Sequence, residues 1–128
     1  MNLLLDTHLL LWAAGSPERL SREAHNLLLD PASQLAFSSA SLWEIAIKNA
    51  LGRPDFKVDP RRLWRMLLLN GYRELTVVSE HAVAVNDLPP LHKDPFDRIL
   101  IAQARAEGLL LLTVDEAVAQ YESGVRRV

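Results

Sequence analysis

The sequence predicts an α/β fold, a three-layer α/β/α sandwich around a short, mostly parallel sheet, and three observations carry that expectation. Short apolar runs recur along the chain, capped helical segments lie between them, and no repeat, low-complexity tract or linker divides the 128 residues. A strand that is apolar at every position is buried on both faces, as in a parallel sheet covered by helices on each side. A half-exposed sheet would instead show a polar residue at every second position. One domain spanning residues 1–128 is therefore expected.

The elements follow in order. Leu3 to Leu5 form the first strand, and Thr7 to Ala13 begin a helix that Gly15, Ser16 and Pro17 break. Ser21 caps a second helix running to about Leu29. Gln34 to Phe37 read as the second strand, followed by a helix from about Ser41 to Leu51 that Gly52 and Pro54 end. Asp59-Pro60 is a cap-then-proline start for the next helix, stopped by Gly71. Leu75 to Val78 form the third strand, Ser79 to Asn86 a short helix, and Asp87 to Leu91, with two prolines, a loop. Asp94-Pro95 opens the most clearly marked helix, which Gly108 closes ahead of the fourth strand, Leu109 to Thr113. A short helix begins near Asp115, and Val125 to Val128 add an edge strand.

Composition excludes several classes. With 49% apolar and 23% charged residues the chain is neither disordered nor fibrous. The opening MNLLLDTHLLLWAAG is interrupted by Asp6, Thr7 and His8, lacks a basic start, and falls short of the roughly 18 apolar residues of a membrane span. It reads as neither signal peptide nor anchor, so a cytoplasmic location is expected. Without cysteine, any metal must be held by oxygen or imidazole. A net charge of −2 gives no bulk attraction to phosphate backbones, so nucleic-acid binding would have to be local. The most basic stretch is Arg53 to Arg73, where Arg53, Lys57, Arg61, Arg62, Arg65 and Arg73 outnumber Asp55 and Asp59. It reads either as a solvated helix face with its approach loop or as an RNA-facing patch.

Four acids carry the chemistry. Asp6 directly follows the first strand, Asp115 comes two residues after the apolar core of strand four, Glu44 falls in the expected first turn of the helix after strand two, and Asp97 in the first turn of the helix leading to strand four. All four therefore converge at the carboxyl ends of the strands, where open α/β sheets bind ligands. Each has an ordinary explanation as well: acids cap helix starts, Ser41-Leu42-Trp43-Glu44 is a capping-box pattern, and Asp94 needs no role beyond its Asp-Pro start. Two carboxylates about 5 Å apart repel by roughly 3 kcal/mol at an effective dielectric of 20, so a cluster calls for a neutralising cation. Mg²⁺ or Mn²⁺ suits an all-oxygen site, and either would activate water for attack on a phosphodiester.

Nearby residues carry weaker signals. Thr7 and Thr113 read as carboxylate-orienting hydroxyls or as local caps, and Lys48 as an ion-pair partner of Glu44 or a phosphate contact. His92, Lys93 and Arg98 flank the acidic turn as phosphate contacts or plain surface residues. His8 and His81 look structural or exposed, and Trp12, Trp43 and Trp64, at helical spacing among apolar residues, are expected in the core or an interface.

On these residues the chain resembles the PIN-domain family, and more closely the VapC-like toxins of prokaryotic toxin–antitoxin pairs. The matching segments are LLLDTHLLLW, SSASLWEIAIK, HKDPFDRILIAQA and LLLTVDEAV, in the family's order and bracketing Leu3 through Val118. The family's metal-binding acids fall on Asp6, Glu44, Asp97 and Asp115, with Asp94 of the HKDPFDR form as an additional candidate. The resemblance implies a PIN-like fold, Mg²⁺- or Mn²⁺-dependent endoribonuclease activity on RNA, a homodimer, and inhibition by a small cognate antitoxin. PIN domains also serve as housekeeping nucleases, so the fold alone does not establish a toxin.

Rival classes fit less well. An aspartyl-phosphate phosphohydrolase needs a second Asp two positions after Asp6, where this chain has His8. A receiver-like phosphorylation module needs an acceptor Asp after the middle strand, where Ser79 and Glu80 stand. A non-enzymatic α/β interaction module is the remaining alternative.

Overall fold

A computed structural model describes residues 1–54 and 56–128; Asp55, counted in the basic stretch, lies outside the described residues. Strands and helices alternate as β1 (Asn2–Leu5), α1 (Thr7–Gly15), α2 (Arg22–Leu29), β2 (Gln34–Ser38), α3 (Ser39–Ala50), α4 (Pro60–Leu69), β3 (Arg73–Leu75), α5 (Ser79–Ala84), α6 (Pro95–Glu107), β4 (Leu110–Thr113), α7 (Glu116–Ala119) and β5 (Val125–Arg127). Short 3₁₀ turns at Pro17–Arg19 and Val85–Asp87 complete the order. The helix starts follow from their caps. Ser21 accepts from the Ala24 N–H at 3.0 Å, Asp59 from Arg61 and Arg62 ahead of Pro60, and Asp94 from Phe96 and Asp97 ahead of Pro95. α6 ends at Gly108, whose φ of 67° is left-handed backbone that a side chain would disfavour.

All five strands are parallel, in the order β3-β2-β1-β4-β5. Leu4 and Leu111 face one buried layer with Leu100, Ile101, Val118 and Tyr121, while Leu3, Leu5 and Leu112 face the other with Leu9, Leu10, Ile45, Leu63 and Leu67. Alternate residues of one strand thus enter opposite cores, which is why the strands read as unbroken apolar runs. Each buried leucine contributes about 1.5–3 kcal/mol relative to exposure. The chain moves outward from β1 through β2 to β3, then returns to the other side of β1 for β4 and β5. That reversal opens a crevice between the carboxyl ends of β1 and β4.

Two elements depart from expectation. β3 is Arg73–Leu75 rather than Leu75 to Val78, with Leu75 opposite Ser38. It is an edge strand and exposes Arg73, so apolar content marked the wrong residues; Val77 and Val78 lie on the surface. α3 begins at Ser39, directly after β2, because the Ser38 hydroxyl accepts from the Ala40 N–H at 3.0 Å. Ser41 is therefore not the cap, the expected capping box does not form, and Glu44 falls in the second turn. Of the tryptophans expected in the core or an interface, Trp12 is half-buried and packs against the core, whereas Trp43 is 64% exposed and Trp64 40% and neither is a core residue. Arg61, Arg62 and Arg65 are exposed on α4. His8 is exposed and His81 buried. Among the described residues, no helix is long and apolar enough to cross a membrane.

Candidate active site

Asp6 occupies the crevice because β1 ends there. Its N–H continues the ladder to the Leu112 carbonyl at 3.0 Å, and its Oδ1 accepts from the Leu9 N–H at 2.9 Å, capping α1. Oδ2 accepts from the hydroxyl of Thr113, the last residue of β4. The side chain is buried, and burial pushes its carboxyl above the ordinary range despite the bonds from Thr113 and Leu9. The Thr113 oxygen also accepts from the Asp115 N–H at 3.0 Å, and Asp115 Oδ1 caps α7 through Ala117 at 2.8 Å. One hydroxyl thereby links Asp6 to the turn carrying Asp115.

Glu44 reaches the crevice from α3. Standing in the second turn, it caps nothing. Its Oε1 lies 2.7 Å from the Thr7 hydroxyl, which in turn lies 2.9 Å from the Ser41 hydroxyl. A carboxylate only accepts, so the Thr7 proton goes to Glu44 and Ser41 supplies its own to Thr7. Oε2 pairs with Lys48 Nζ at 2.9 Å. The expected Lys48–Glu44 ion pair is present, with the acid buried and the lysine half-buried.

Asp97 sits in the first turn of α6, half-buried, with its Oδ2 2.7 Å from His92 Nε2. Burial raises its carboxyl to about 6; the His92 bond opposes that shift, and the charges of Asp94 and Glu44 add to it. Asp94 Oδ1 is occupied in capping α6 through Phe96 and Asp97. Ligand atoms of His92, Asp94 and Asp97 all lie within 4.8 Å of one another. Among the described residues, no trio drawn from Asp6, Glu44, Asp97 and Asp115 comes that close. The four expected acids thus share one end of the sheet, with the tightest grouping on the Asp97 side.

Arg98 is turned away from the crevice. Its guanidinium donates to the carbonyls of Val85 and Pro89 at 3.2 and 3.1 Å and to the Tyr121 hydroxyl at 2.8 Å, gripping the 85–92 loop. The Val85 and Pro89 carbonyls also accept from the N–H groups of Leu88 and Leu91, so Arg98 reinforces turns that the loop already makes, and its guanidinium is engaged there rather than free for the expected phosphate contact. Lys93 is exposed. Ser41, His92 and Tyr121 enter the site without having been singled out as ligands or anchors. His92 carried a signal as the first residue of the HKDPFDR segment and Ser41 as part of SSASLWEIAIK, whereas Tyr121 lies outside every motif.

A five-stranded parallel sheet whose order reverses between β1 and β4, with acidic side chains gathered at that end, has the architecture of the PIN-domain class. The PIN domain family model matches residues 3–123, and the chain belongs to that family. Among curated proteins it is similar to ribonuclease VapC22 of Mycobacterium tuberculosis (strain ATCC 25618 / H37Rv), 29% identical over 119 residues that cover 92% of this chain and 90% of that protein. The fold is similar to VapBC2 from Rickettsia felis bound to a DNA fragment from their promoter, with TM-score 0.69, 15% identity, and coverage of 99% and 98% of the two chains. A toxin–antitoxin complex from Klebsiella pneumoniae gives TM-score 0.65 at 21% identity, covering 97% of this chain and 95% of that one.

Proposed function

We propose that this chain is a divalent-metal-dependent endoribonuclease, the toxin of a toxin–antitoxin pair, acting in the cytoplasm through Asp6, Glu44, Asp97 and Asp115. The observation that carries this reading is Glu44, a buried carboxylate with no capping duty, fixed by Thr7 and Lys48 beside the Asp6 turn. Lys48 and Thr7 offset part of the cost of burying that charge, which a divalent cation would offset further.

The donor set fits Mg²⁺ or Mn²⁺, being carboxylate oxygens with one imidazole nearby and no thiolate. Asp6, Glu44 and Asp97 would hold the ion, with Asp115 and Asp94 at its margins. When bound, such an ion activates water and stabilises charge on the phosphate oxygens. The protein's own part is to fix those carboxylates: Thr113 orients Asp6, Thr7 and Lys48 orient Glu44, and Asp94 tethers the backbone of Asp97.

Two apolar grooves support the expected partners. One of about 380 Å³, lined by Leu11, Trp12, Phe56, Leu63 and Met66 between α1 and α4, suits a flexible antitoxin segment. Another, of about 600 Å³ beside the site, lined by Trp43, Val77, Phe96 and Ile99, suits a second copy of this chain. The test is incubation of purified protein with RNA, with Mg²⁺ or Mn²⁺ and with EDTA. Metal-dependent cleavage leaving 5′-phosphate ends is expected, because water is the nucleophile. Products bearing 2′,3′-cyclic phosphate would exclude this mechanism, and intact RNA under every condition would favour a non-enzymatic module.

A further inference from the structure

His92 is held by its backbone from both sides. Its N–H donates to the Tyr121 hydroxyl at 3.0 Å, and its carbonyl accepts from Arg98 at 3.4 Å. Tyr121 is itself buried in the core beside Leu88 and Leu100, and Arg98 donates to the same hydroxyl at 2.8 Å. The histidine is thus anchored through a core tyrosine and a guanidinium that also binds the loop carbonyls of Val85 and Pro89. Only its ring is left to act, and the ring meets Asp97 Oδ2 at 2.7 Å. An ionised carboxylate can only accept, so Nε2 carries the proton in this pair.

We infer that His92 is a positioning residue for Asp97: the Arg98–Tyr121–His92 chain fixes one carboxylate oxygen by hydrogen bonding and leaves Oδ1 as the oxygen available to a divalent cation. This inference rests on the proposed metal-dependent reading of the site. The capping bond from Asp94 to the Asp97 N–H fixes the backbone, while His92 fixes the carboxylate. Together they remove the rotation that would otherwise be lost on cation binding. Outer-shell hydrogen bonds of this kind typically change metal affinity by about 10–100-fold.

The test is titration of Mn²⁺ into metal-free protein by calorimetry, for wild type, His92→Ala, His92→Gln and Asp6→Asn, with folding checked by thermal melts. His92→Ala should bind Mn²⁺ at least about 10-fold more weakly, and His92→Gln, whose amide N–H reaches a similar position, should recover most of that loss. Pulsed electron paramagnetic resonance of the wild-type Mn²⁺ complex should show no directly coordinated nitrogen. Equal affinity of wild type and His92→Ala would overturn the inference, as would a directly coordinated imidazole combined with failure of Gln to rescue. If wild type binds Mn²⁺ and Asp6→Asn weakens it while His92→Ala does not, only the role of His92 falls. If wild type binds no Mn²⁺, the functional reading falls with it.

Discussion

Thr7 and Glu44, 37 positions apart in sequence, share a 2.7 Å hydrogen bond between the first turn of α1 and the second turn of α3. Both side chains are buried, so the contact docks two helices through a charge. Thr7→Val should destabilise the protein by about 1.5–3 kcal/mol, the usual effect of a hydrogen bond to a charged group. Combined with Glu44→Gln the loss should be clearly less than the sum of the two, as measured by urea denaturation. Full additivity would mean that the contact contributes nothing.

Neutralising the acids should separate chemistry from folding. Asp6→Asn, Glu44→Gln and Asp97→Asn keep shape and remove charge, and each should lower metal-dependent RNA cleavage by more than about 100-fold, beyond the usual outer-shell range. Circular dichroism should remain that of the wild type. Near-normal rates in two of the three would remove these residues from the site.

Asp97 sets a pH dependence whose sign is fixed by the direction of its shift. Its carboxyl rises from 3.8 to about 6 on folding, so the folded state holds the proton more tightly than the unfolded chain. Metal-free protein should therefore lose stability as pH rises from about 4 through about 6. Asp6, raised by burial, adds a contribution of the same sign. Asp97→Asn should stabilise the metal-free protein at neutral pH by about 1–3 kcal/mol and flatten the profile, and Mn²⁺ should also raise the wild-type melting temperature. Melts between pH 4 and 8 that show no difference between the two proteins would contradict this account.

Arg98 should behave as a structural residue. Arg98→Ala removes the charged donor to the Val85 and Pro89 carbonyls and the Tyr121 hydroxyl, leaving each with a single backbone donor from Leu88, Leu91 and His92. The expected loss is about 1.5–3 kcal/mol, with faster amide exchange across residues 85–92. Lys should restore little, lacking the planar fork. A fully stable Arg98→Ala variant would show that the loop holds itself.

An inhibitory partner should carry positive charge to the crevice. A small protein encoded upstream should be captured by this chain, and its affinity should fall when Asp6→Asn removes the acid that an Arg or Lys would meet. Unchanged affinity would exclude the acids from the inhibitory contact.

The strands buried on both faces were readable because Leu3 to Leu5 and Leu110 to Leu112 are apolar at every position, without the alternation that a solvent-facing side would impose. The placement of Asp6 and Asp115 after β1 and β4 was readable from topology, since parallel strands send every β-to-α turn to one edge. β3 was misplaced because an edge strand is held by backbone pairing to β2 rather than by apolar content. The α3 start was misplaced because Ser38, Ser39 and Ser41 are each chemically able to cap, and only the length of β2 decides between them. His92 and Tyr121, 29 positions apart, meet through one hydroxyl, a contact with no local pattern behind it.

Asp6 and its hydroxyl donor Thr113 are separated by 107 positions, and β1 sits in the middle of the sheet with β4 as one of its two neighbours. Pairings of such high sequence separation are the slowest to form in folding, and β1–β4 is one of them. Until it forms, one side of β1 has nothing to pair with and Asp6 Oδ2 has no donor. The geometry around Asp6 is thus set by a long-range strand pairing rather than by its own turn, so any loosening of β4 should be felt first at this carboxylate.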